Sequence, residues 1–134
     1  MEKRFLKKII AQSPEDLQLI SACCSEAKVK LIDIKYLSKN KIFLISLQRF
    51  NKESENQKEK INSIVKFEFI DSSKSKNINQ NSPDLYLELL AIDIFKRELN
   101  YEIILLFSNN GFITLTAEII EVTLEDQKID DKSI

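Results

Sequence analysis

The chain has 134 residues, of which 43% are hydrophobic and 31% are charged, and its formal net charge at pH 7 is −1. These values are typical of a soluble globular protein, so we expect a single domain over residues 1–134. The balance of 20 basic and 21 acidic residues gives no global positive field, which excludes nucleic acid as an expected partner. The chain contains no histidine and one glycine, which excludes histidine-based catalysis and glycine-rich phosphate loops.

Targeting and redox signals are also missing from the sequence. The first twelve residues place Lys7 and Lys8 inside what would have to be the apolar part of a signal peptide. No later run approaches the roughly 20 apolar residues of a membrane span. The two cysteines, Cys23 and Cys24, are adjacent and imply no framework disulfide. We therefore expect a cytoplasmic protein without a membrane span, a metal or a cofactor.

The first predicted elements are a short strand over residues 5–11 and a helix that follows it. Ser13 can cap this helix and Pro14 fits its first position, so the helix starts there and should end near Glu26. Its apolar stripe consists of Leu17, Ile20 and Cys24.

A hairpin is predicted over residues 29–50, because two alternating apolar runs flank an even-length turn at residues 38–41. The pairs that this turn aligns on one core face are Ile32 with Leu47, Ile34 with Ile45, and Tyr36 with Phe43.

Polar loops are predicted at residues 51–60 and 72–84, on either side of a strand over residues 61–71. Residues 85–95 form the next strand, and they are apolar on both faces. Residues 103–107 of the following strand are also apolar on both faces, and such a surplus requires cover either from the two helices or from another subunit.

The last predicted hairpin spans residues 101–118 around Asn110-Gly111, a dipeptide that tolerates positive φ. A two-residue loop would set Leu106 against Leu115, and a three-residue loop would set Leu105 there instead, so the register stays open. Residues 118–128 fit both a strand and a helix, and their composition favours the helix. Residues 130–134 are expected to be a tail.

These elements predict an α+β fold, an antiparallel β roll or barrel with about seven strands, an early helix and a C-terminal helix. The closing order of strand, turn, strand and helix resembles a pleckstrin-homology-like domain, which implies a fold and no ligand. The alternative is an antiparallel sheet with both helices on one face.

Four segments carry a resemblance that covers nearly the whole chain: LKKIIAQSPEDLQLISA, DIKYLSKNKIFLISLQRF, SPDLYLELLAIDIF and GFITLTAEIIEVTLED. They resemble a family of short, mainly alphaproteobacterial proteins known as a domain of unknown function (2948). The resemblance implies a cytoplasmic bacterial protein and supplies no activity, cofactor or catalytic residue. The lysine-rich loop at residues 51–60 departs from the family pattern.

Candidate site residues are few, and none is catalytic. Cys23 and Cys24 lie on an amphipathic helix, where packing explains them better than redox chemistry. Five lysines cluster around the hairpin at residues 29–50, namely Lys28, Lys30, Lys35, Lys39 and Lys41. Of these, Lys35, Lys39 and Lys41 are the candidate anion-binding residues, by analogy with the phosphate-headgroup sites of lipid-binding pleckstrin-homology domains. Acidic pairs such as Glu15 and Asp16 fit helix capping.

We therefore expect a non-enzymatic protein–protein interaction or assembly module, either a homo-oligomer or a subunit bound to a protein partner. The alternative is a domain that binds a small molecule or an anion, and the third hypothesis is an enzyme of a type the motifs do not show. A deep pocket lined by converging polar groups would favour the alternative, and a flat apolar patch would favour the module.

Overall fold

The structure, a computed structural model, describes residues 6–51 and 59–127. Helix α1 begins after Ser13, whose hydroxyl accepts a hydrogen bond from the backbone N–H of Asp16 at 3.2 Å, and Pro14 occupies its first position as predicted. Short 3₁₀ turns interrupt the strands at Leu31–Asp33, Ser38–Asn40 and Ser108–Asn110. The elements in chain order are β1 (Lys8–Ala11), α1 (Pro14–Cys24), β2 (Ala27–Lys30), β3 (Ile34–Leu37), β4 (Ile42–Phe50), β5 (Lys60–Phe67), β6 (Ile70–Lys76), β7 (Tyr86–Lys96), β8 (Tyr101–Phe107), β9 (Phe112–Ala117) and β10 (Val122–Asp126).

All described strands belong to one antiparallel ten-stranded sheet, whose order is β1-β10-β5-β4-β2-β7-β8-β9-β6, with β3 paired to β4. The strands enclose a single hydrophobic cluster, and α1 adds Leu17, Ile20 and Cys24 to it. Helix α1 packs against β7, β1 and β4. The architecture is therefore antiparallel α+β, as predicted, with the early helix in place.

The hairpin of β3 and β4 confirms most of its predicted register. Ile34 pairs with Ile45 and Tyr36 pairs with Phe43. Ile45 is completely buried, and the Tyr36 hydroxyl donates to the carbonyl oxygen of Ile70 at 2.9 Å. The third predicted pair, Ile32 with Leu47, is wrong, because Ile32 lies in the first 3₁₀ turn and is 55% exposed.

The predicted C-terminal helix is wrong, because Val122–Asp126 is strand β10, between β1 and β5. Its alternation places Val122, Leu124 and Asp126 in the interior. The aspartate made an inward-facing strand improbable from sequence alone, but a buried arginine neutralises it in the fold. Without a closing helix, the pleckstrin-homology-like roll is not confirmed.

Within the described residues the sheet has ten strands rather than about seven. Two predicted strands, the first arm of the hairpin at residues 29–50 and the strand at residues 61–71, are each divided, and β10 replaces the predicted closing helix. The strand predicted over residues 61–71 bends at Phe69, which adopts a left-handed conformation with φ of 60°, and β6 starts directly after it. Part of the predicted loop at residues 72–84 therefore belongs to β6. The other polar loop, residues 51–60, lies mostly outside the described residues, as does the predicted tail.

The turn between β8 and β9 differs from both predicted registers, since Leu105 pairs with Ile113 and Leu106 pairs with Phe112. The left-handed residues are Asn109 and Asn110, with φ of 61° and 62°, while Gly111 has φ of −81°. The lack of a side chain at Gly111 matters for another reason, which is the limited space around it. A Cβ atom there would lie 3.1 Å from Cγ1 of Ile78 and 3.3 Å from the carbonyl oxygen of Asn77.

Strand β7 is apolar on both faces, and a break in its pairing with β8 changes which of its side chains face the core. The register with β8 shifts between Leu89 and Ala91, so that Leu89 and Ile92 are both buried. A β-bulge reverses the facing of the residues after it. Strand β2 pairs with β7 only as far as Leu89. Beyond that residue α1 lies along the same edge of β7, and the hydroxyl of Ser21 accepts a hydrogen bond from the N–H of Ile92 at 2.9 Å.

Candidate functional site

One side of the β7-β8-β9-β6 segment faces away from the core. Cross-strand partners share a face of a sheet, so the register aligns Ala91, Leu106 and Phe112 in one row, and Ile104 and Thr114 in the next. We call this side the outer face. The alternation of β8 decides it, because Ile103, Leu105 and Phe107 are buried in the core and Ile104 and Leu106 point outwards.

The outer face is apolar in its centre and accessible to water. Ile104, Leu106 and Phe112 are half-buried. Leu90 and Phe95 on β7 are 44% and 45% exposed. These two-sided strands are the ones for which the sequence predicted an additional cover, and the register now identifies which side chains need it.

Charged side chains border the outer face on two opposite edges. Lys74 pairs with Thr114 and Lys76 with Phe112, so both lysines lie on the β6 edge. The Lys76 ammonium lies 5.9 Å from the centre of the Phe112 ring. Asp93 pairs with Ile104 and lies on the β7 edge. The face is therefore basic on one side and acidic on the other.

A shallow depression of about 400 Å³ lies at the basic edge of the outer face. Its lining includes Ser72, Lys74, Lys76, Phe112 and Thr114. At one end of the strands, Arg97 pairs with Glu102 at 3.2 Å, and its guanidinium lies 5.7 Å from the ring of Phe95.

The predicted anion-binding lysines do not converge on a pocket. Lys35 is exposed on β3, and Lys39 is exposed in the 3₁₀ turn that follows. The Lys41 ammonium contacts Glu118 at 2.7 Å and Asp71 at 3.0 Å. These two carboxylates raise the pKa of Lys41 above its usual value. An anion at Lys41 would have to displace them, and anion binding by the three lysines stays a prediction.

The buried polar centre is the pair of Arg49 on β4 and Asp126 on β10. Arg49 donates to both carboxylate oxygens, at 3.0 and 2.7 Å, and the Ser63 hydroxyl adds a third bond at 2.6 Å. The backbone N–H of Lys7 donates to the same carboxylate at 2.9 Å. No buried side-chain nitrogen or oxygen in the described part of the chain lacks a partner.

The pKa values of this pair reflect two opposing effects. Burial alone would raise the pKa of Asp126, but the hydrogen bonds from Arg49, Ser63 and Lys7 outweigh it and lower that pKa. Burial likewise opposes the charge of Arg49, while Asp126 raises the pKa of Arg49. Both groups therefore stay ionised, and the pair acts as a structural cross-link between strands.

Neither Cys23 nor Cys24 forms a disulfide. Cys24 is fully buried in the core, and Cys23 is partly exposed, with the Lys7 ammonium 3.9 Å from its sulfur. Packing explains Cys24, as the helical stripe predicts.

The residues that sequence reasoning missed share one property, which is that their roles depend on cross-strand partners. Nothing in the sequence near Arg49 or Asp126 indicates the other, since 77 residues separate them. Asp93, Lys74 and Phe112 gain their arrangement only through the register of four strands. The one available signal was that Asp126 continues the alternation of Val122 and Leu124, which implies a partner of opposite charge if this segment is a strand.

Two features are absent from residues 6–51 and 59–127. No helix there is long and apolar enough to cross a membrane. No group of three or more cysteine, aspartate or glutamate side chains is arranged to hold a metal ion.

Comparison with known proteins places the chain in a family. No curated protein matches it. A crystal structure of an uncharacterized protein from Neisseria gonorrhoeae is similar at 14% sequence identity and a TM-score of 0.46, covering 89% of this chain and 97% of that one. Residues 7–133 match the family described as "Protein of unknown function (DUF2948)", as the resemblance in sequence implied. The chain therefore belongs to this family, for which no specific function is indicated.

Proposed function

We propose that this protein is a non-enzymatic assembly module, in which the outer face of one copy packs against the same face of a second copy. The observation that carries the proposal is a single row across four strands. Asp93, Ile104, Thr114 and Lys74 follow one another from β7 to β6. The row has an acid at one end, a base at the other, and the uncharged side chains of Ile104 and Thr114 between them, so it is complementary to its own reversed copy.

A two-fold axis that lies in the interface and runs parallel to the strands brings the acidic end of each row next to the basic end of the other. Rotation about this axis places β7 of one copy over β6 of the other, so Asp93 meets Lys74 of the second copy on both sides. Between them, Ile104 and Leu106 of one copy pack near Thr114 and Phe112 of the other. Neither Asp93 nor Lys74 forms an ion pair within the described residues, and both side chains are exposed.

The size of the face predicts a weak dimer. Four strands about 4.8 Å apart span about 14 Å, and three rows of side chains extend the contact by roughly 20 Å along the strands. The resulting area is a few hundred Å² for each copy, below the roughly 800 Å² of a standard interface. We therefore expect dissociation in the micromolar range or weaker, and an equilibrium that depends on protein concentration.

Sedimentation velocity from about 5 to about 500 µM covers that range of affinity and tests the proposal directly. The wild-type chain should shift from monomer to dimer, and Leu106→Glu should remain monomeric, because a charge would be buried at the centre of the contact. Leu99→Glu is the matched control, since Leu99 is 93% exposed in the turn between β7 and β8. It should dimerise like the wild type. A wild-type chain that stays monomeric at the highest concentration contradicts the proposal.

A cytoplasmic location and the absence of nucleic acid partners belong to this proposal. The accessible apolar centre of the outer face supports a protein partner, because a continuous apolar patch on a sheet favours protein contacts.

A further inference from the structure

A second surface lies where β2 and β3 run along the same edge of β4. Lys28 pairs with Gln48 and Ile34 pairs with Ile45, so six steps along β2 and β3 correspond to three along β4. The three extra residues form the 3₁₀ turn Leu31–Asp33. Its backbone is held away from β4 by hydrogen bonds from Leu31 and Ile32 to the carbonyl oxygens of Leu85 and Pro83, at 2.9 and 3.1 Å.

This insertion opens a depression of about 450 Å³ beside Ser46 and Leu47, which we call the polar depression. Neither of these residues has a register partner in β2 or β3. A second depression of about 400 Å³ adjoins it and shares Lys28, Gln48 and Tyr86. The concave surface therefore results from the local sequence of β2, and it extends towards the start of β7.

The surface is lined by one continuous row of polar side chains. Asn62 on β5 pairs with Gln48, Gln48 pairs with Lys28, and Lys28 pairs with Glu88 on β7. Neighbours in such a row are about 5 Å apart, so the row is about 15 Å long. All four side chains are exposed, and within the described part of the chain they form neither ion pairs nor side-chain hydrogen bonds. They are free to bind a ligand.

In this row the ammonium of Lys28 lies between the neutral amides of Gln48 and Asn62 on one side and the carboxylate of Glu88 on the other. Lys28 supplies a positive charge in the middle, and the amides of Gln48 and Asn62 both donate and accept hydrogen bonds. Tyr86 adds a ring that is 60% exposed, with the Lys30 ammonium 5.3 Å from its centre. Glu88 and Asp33 at the borders accept hydrogen bonds, which suits ligand hydroxyls.

We propose that the polar depression is a binding site for a hydroxylated small anion, such as a sugar phosphate or a sugar acid. The anionic group pairs with Lys28, and the hydroxyl groups bind the amides of Gln48 and Asn62. The site is separate from the outer face and does not depend on dimerisation. It also differs from the anion-binding prediction made from the sequence, since its central residue is Lys28 rather than Lys35, Lys39 or Lys41.

The test uses nuclear magnetic resonance of the full chain, because the side-chain amide groups of Gln48 and Asn62 give their own signals. Glucose 6-phosphate is the probe, with glucose and inorganic phosphate as the two partial probes. We expect saturable shifts of both amide signals, at a concentration about tenfold lower for glucose 6-phosphate than for either partial probe. Glucuronate in place of glucose 6-phosphate then distinguishes a carboxylate from a phosphate as the anion.

Two lysine variants locate the anion. Lys28→Gln should weaken binding of glucose 6-phosphate about tenfold, while Lys35→Gln, a change at another exposed lysine of the same sheet, should leave it unchanged. Both positions are on the surface, so both variants should fold. The inference is overturned if neither amide signal shifts with any probe, if inorganic phosphate binds as well as the sugar phosphate, or if Lys35→Gln has the larger effect.

Discussion

Arg49 and Asp126 face each other across β5, and the guanidinium holds both carboxylate oxygens at 3.0 and 2.7 Å. Each side chain is 1% exposed. In this geometry the attraction between the two charges offsets the cost of removing them from water, whereas either charge buried alone would strongly destabilise the fold. The pair ties β4 to β10, and through the backbone of Lys7 it also ties down the residue before β1. This cross-link stabilises the strand that the sequence favoured as a helix.

Removal of one partner of this pair should therefore be costly. We expect Asp126→Asn to lower the free energy of unfolding by about 3–5 kcal/mol, because Arg49 would remain buried without a counter-charge. Urea denaturation at neutral pH measures the loss. Asp71→Asn is a suitable control, since its ion pair with Lys41 is on the surface, where water screens the two charges, so this change should lower the free energy of unfolding much less than Asp126→Asn does. Equal effects of the two changes would show that the buried pair is not structural.

The same pair predicts a dependence of stability on pH. The pKa of Asp126 is lower in the folded chain than in the unfolded chain, so the unfolded state binds the proton more readily. The stabilisation from Asp126 is therefore fully present above the pKa of the unfolded state, about 4, and is lost as the pH falls through the lower folded value. Unfolding curves of the wild type and Asp126→Asn should converge as the pH falls below 4. A difference that stays constant down to the lowest accessible pH would contradict this assignment.

The β3–β4 register makes a prediction about the core. Ile45 is completely buried and pairs with Ile34, so Ile45→Ala should lower the free energy of unfolding by about 2–5 kcal/mol. Ile32→Ala removes the same atoms at a position that is 55% exposed, and its effect should lie within about 0.5 kcal/mol. Thermal or urea unfolding of both variants checks the contrast. Comparable losses at the two positions would mean that Ile32 packs as the sequence pattern first predicted.

Sequence patterns predicted the fold where the determining contacts are local or repeated. Alternation gave the Ile34–Ile45 and Tyr36–Phe43 pairs, and the Ser13-Pro14 signal gave the start of α1. Predictions from sequence patterns were wrong where the conformation of a segment depends on a partner far away in the chain. The inward position of Asp126 depends on Arg49, and the outward bend of Leu31–Asp33 depends on the loop before β7. The candidate surfaces needed the register of several strands, which no single segment contains.

In the β8–β9 turn, Asn110 adopts the positive φ, while the lack of a side chain at Gly111 leaves room for its neighbours. The sequence pattern assigned the positive φ to Asn110 and Gly111 together. Asn110 has φ of 62°, so Asn110→Ala should lower stability by about 1–2 kcal/mol, while Asn110→Gly should be nearly neutral. Gly111 has ordinary backbone angles, and Gly111→Ala should still lower stability by about 1–3 kcal/mol, because the new methyl group would crowd Ile78 and the Asn77 carbonyl. Denaturation curves of the three variants test this division. A neutral Gly111→Ala would show that the loop around Ile78 relaxes freely.

The proposed dimer predicts that reversing the charge at Asp93 or at Lys74 weakens self-association and that reversing both restores it. Asp93→Lys alone should set two positive charges together at each edge of the interface, and Lys74→Asp alone should set two negative ones there. Each change occurs twice in a symmetric dimer, so each single variant should weaken dimerisation about tenfold at low salt, and less at high salt. Combined in one chain, the two substitutions recreate opposite charges with their positions exchanged. The double variant should therefore dimerise about as well as the wild type. Sedimentation of the four chains at two salt concentrations measures this, and thermal unfolding confirms that the exposed substitutions leave the fold intact. A double variant weaker than either single variant would refute the two-fold arrangement, because its charges would then act independently.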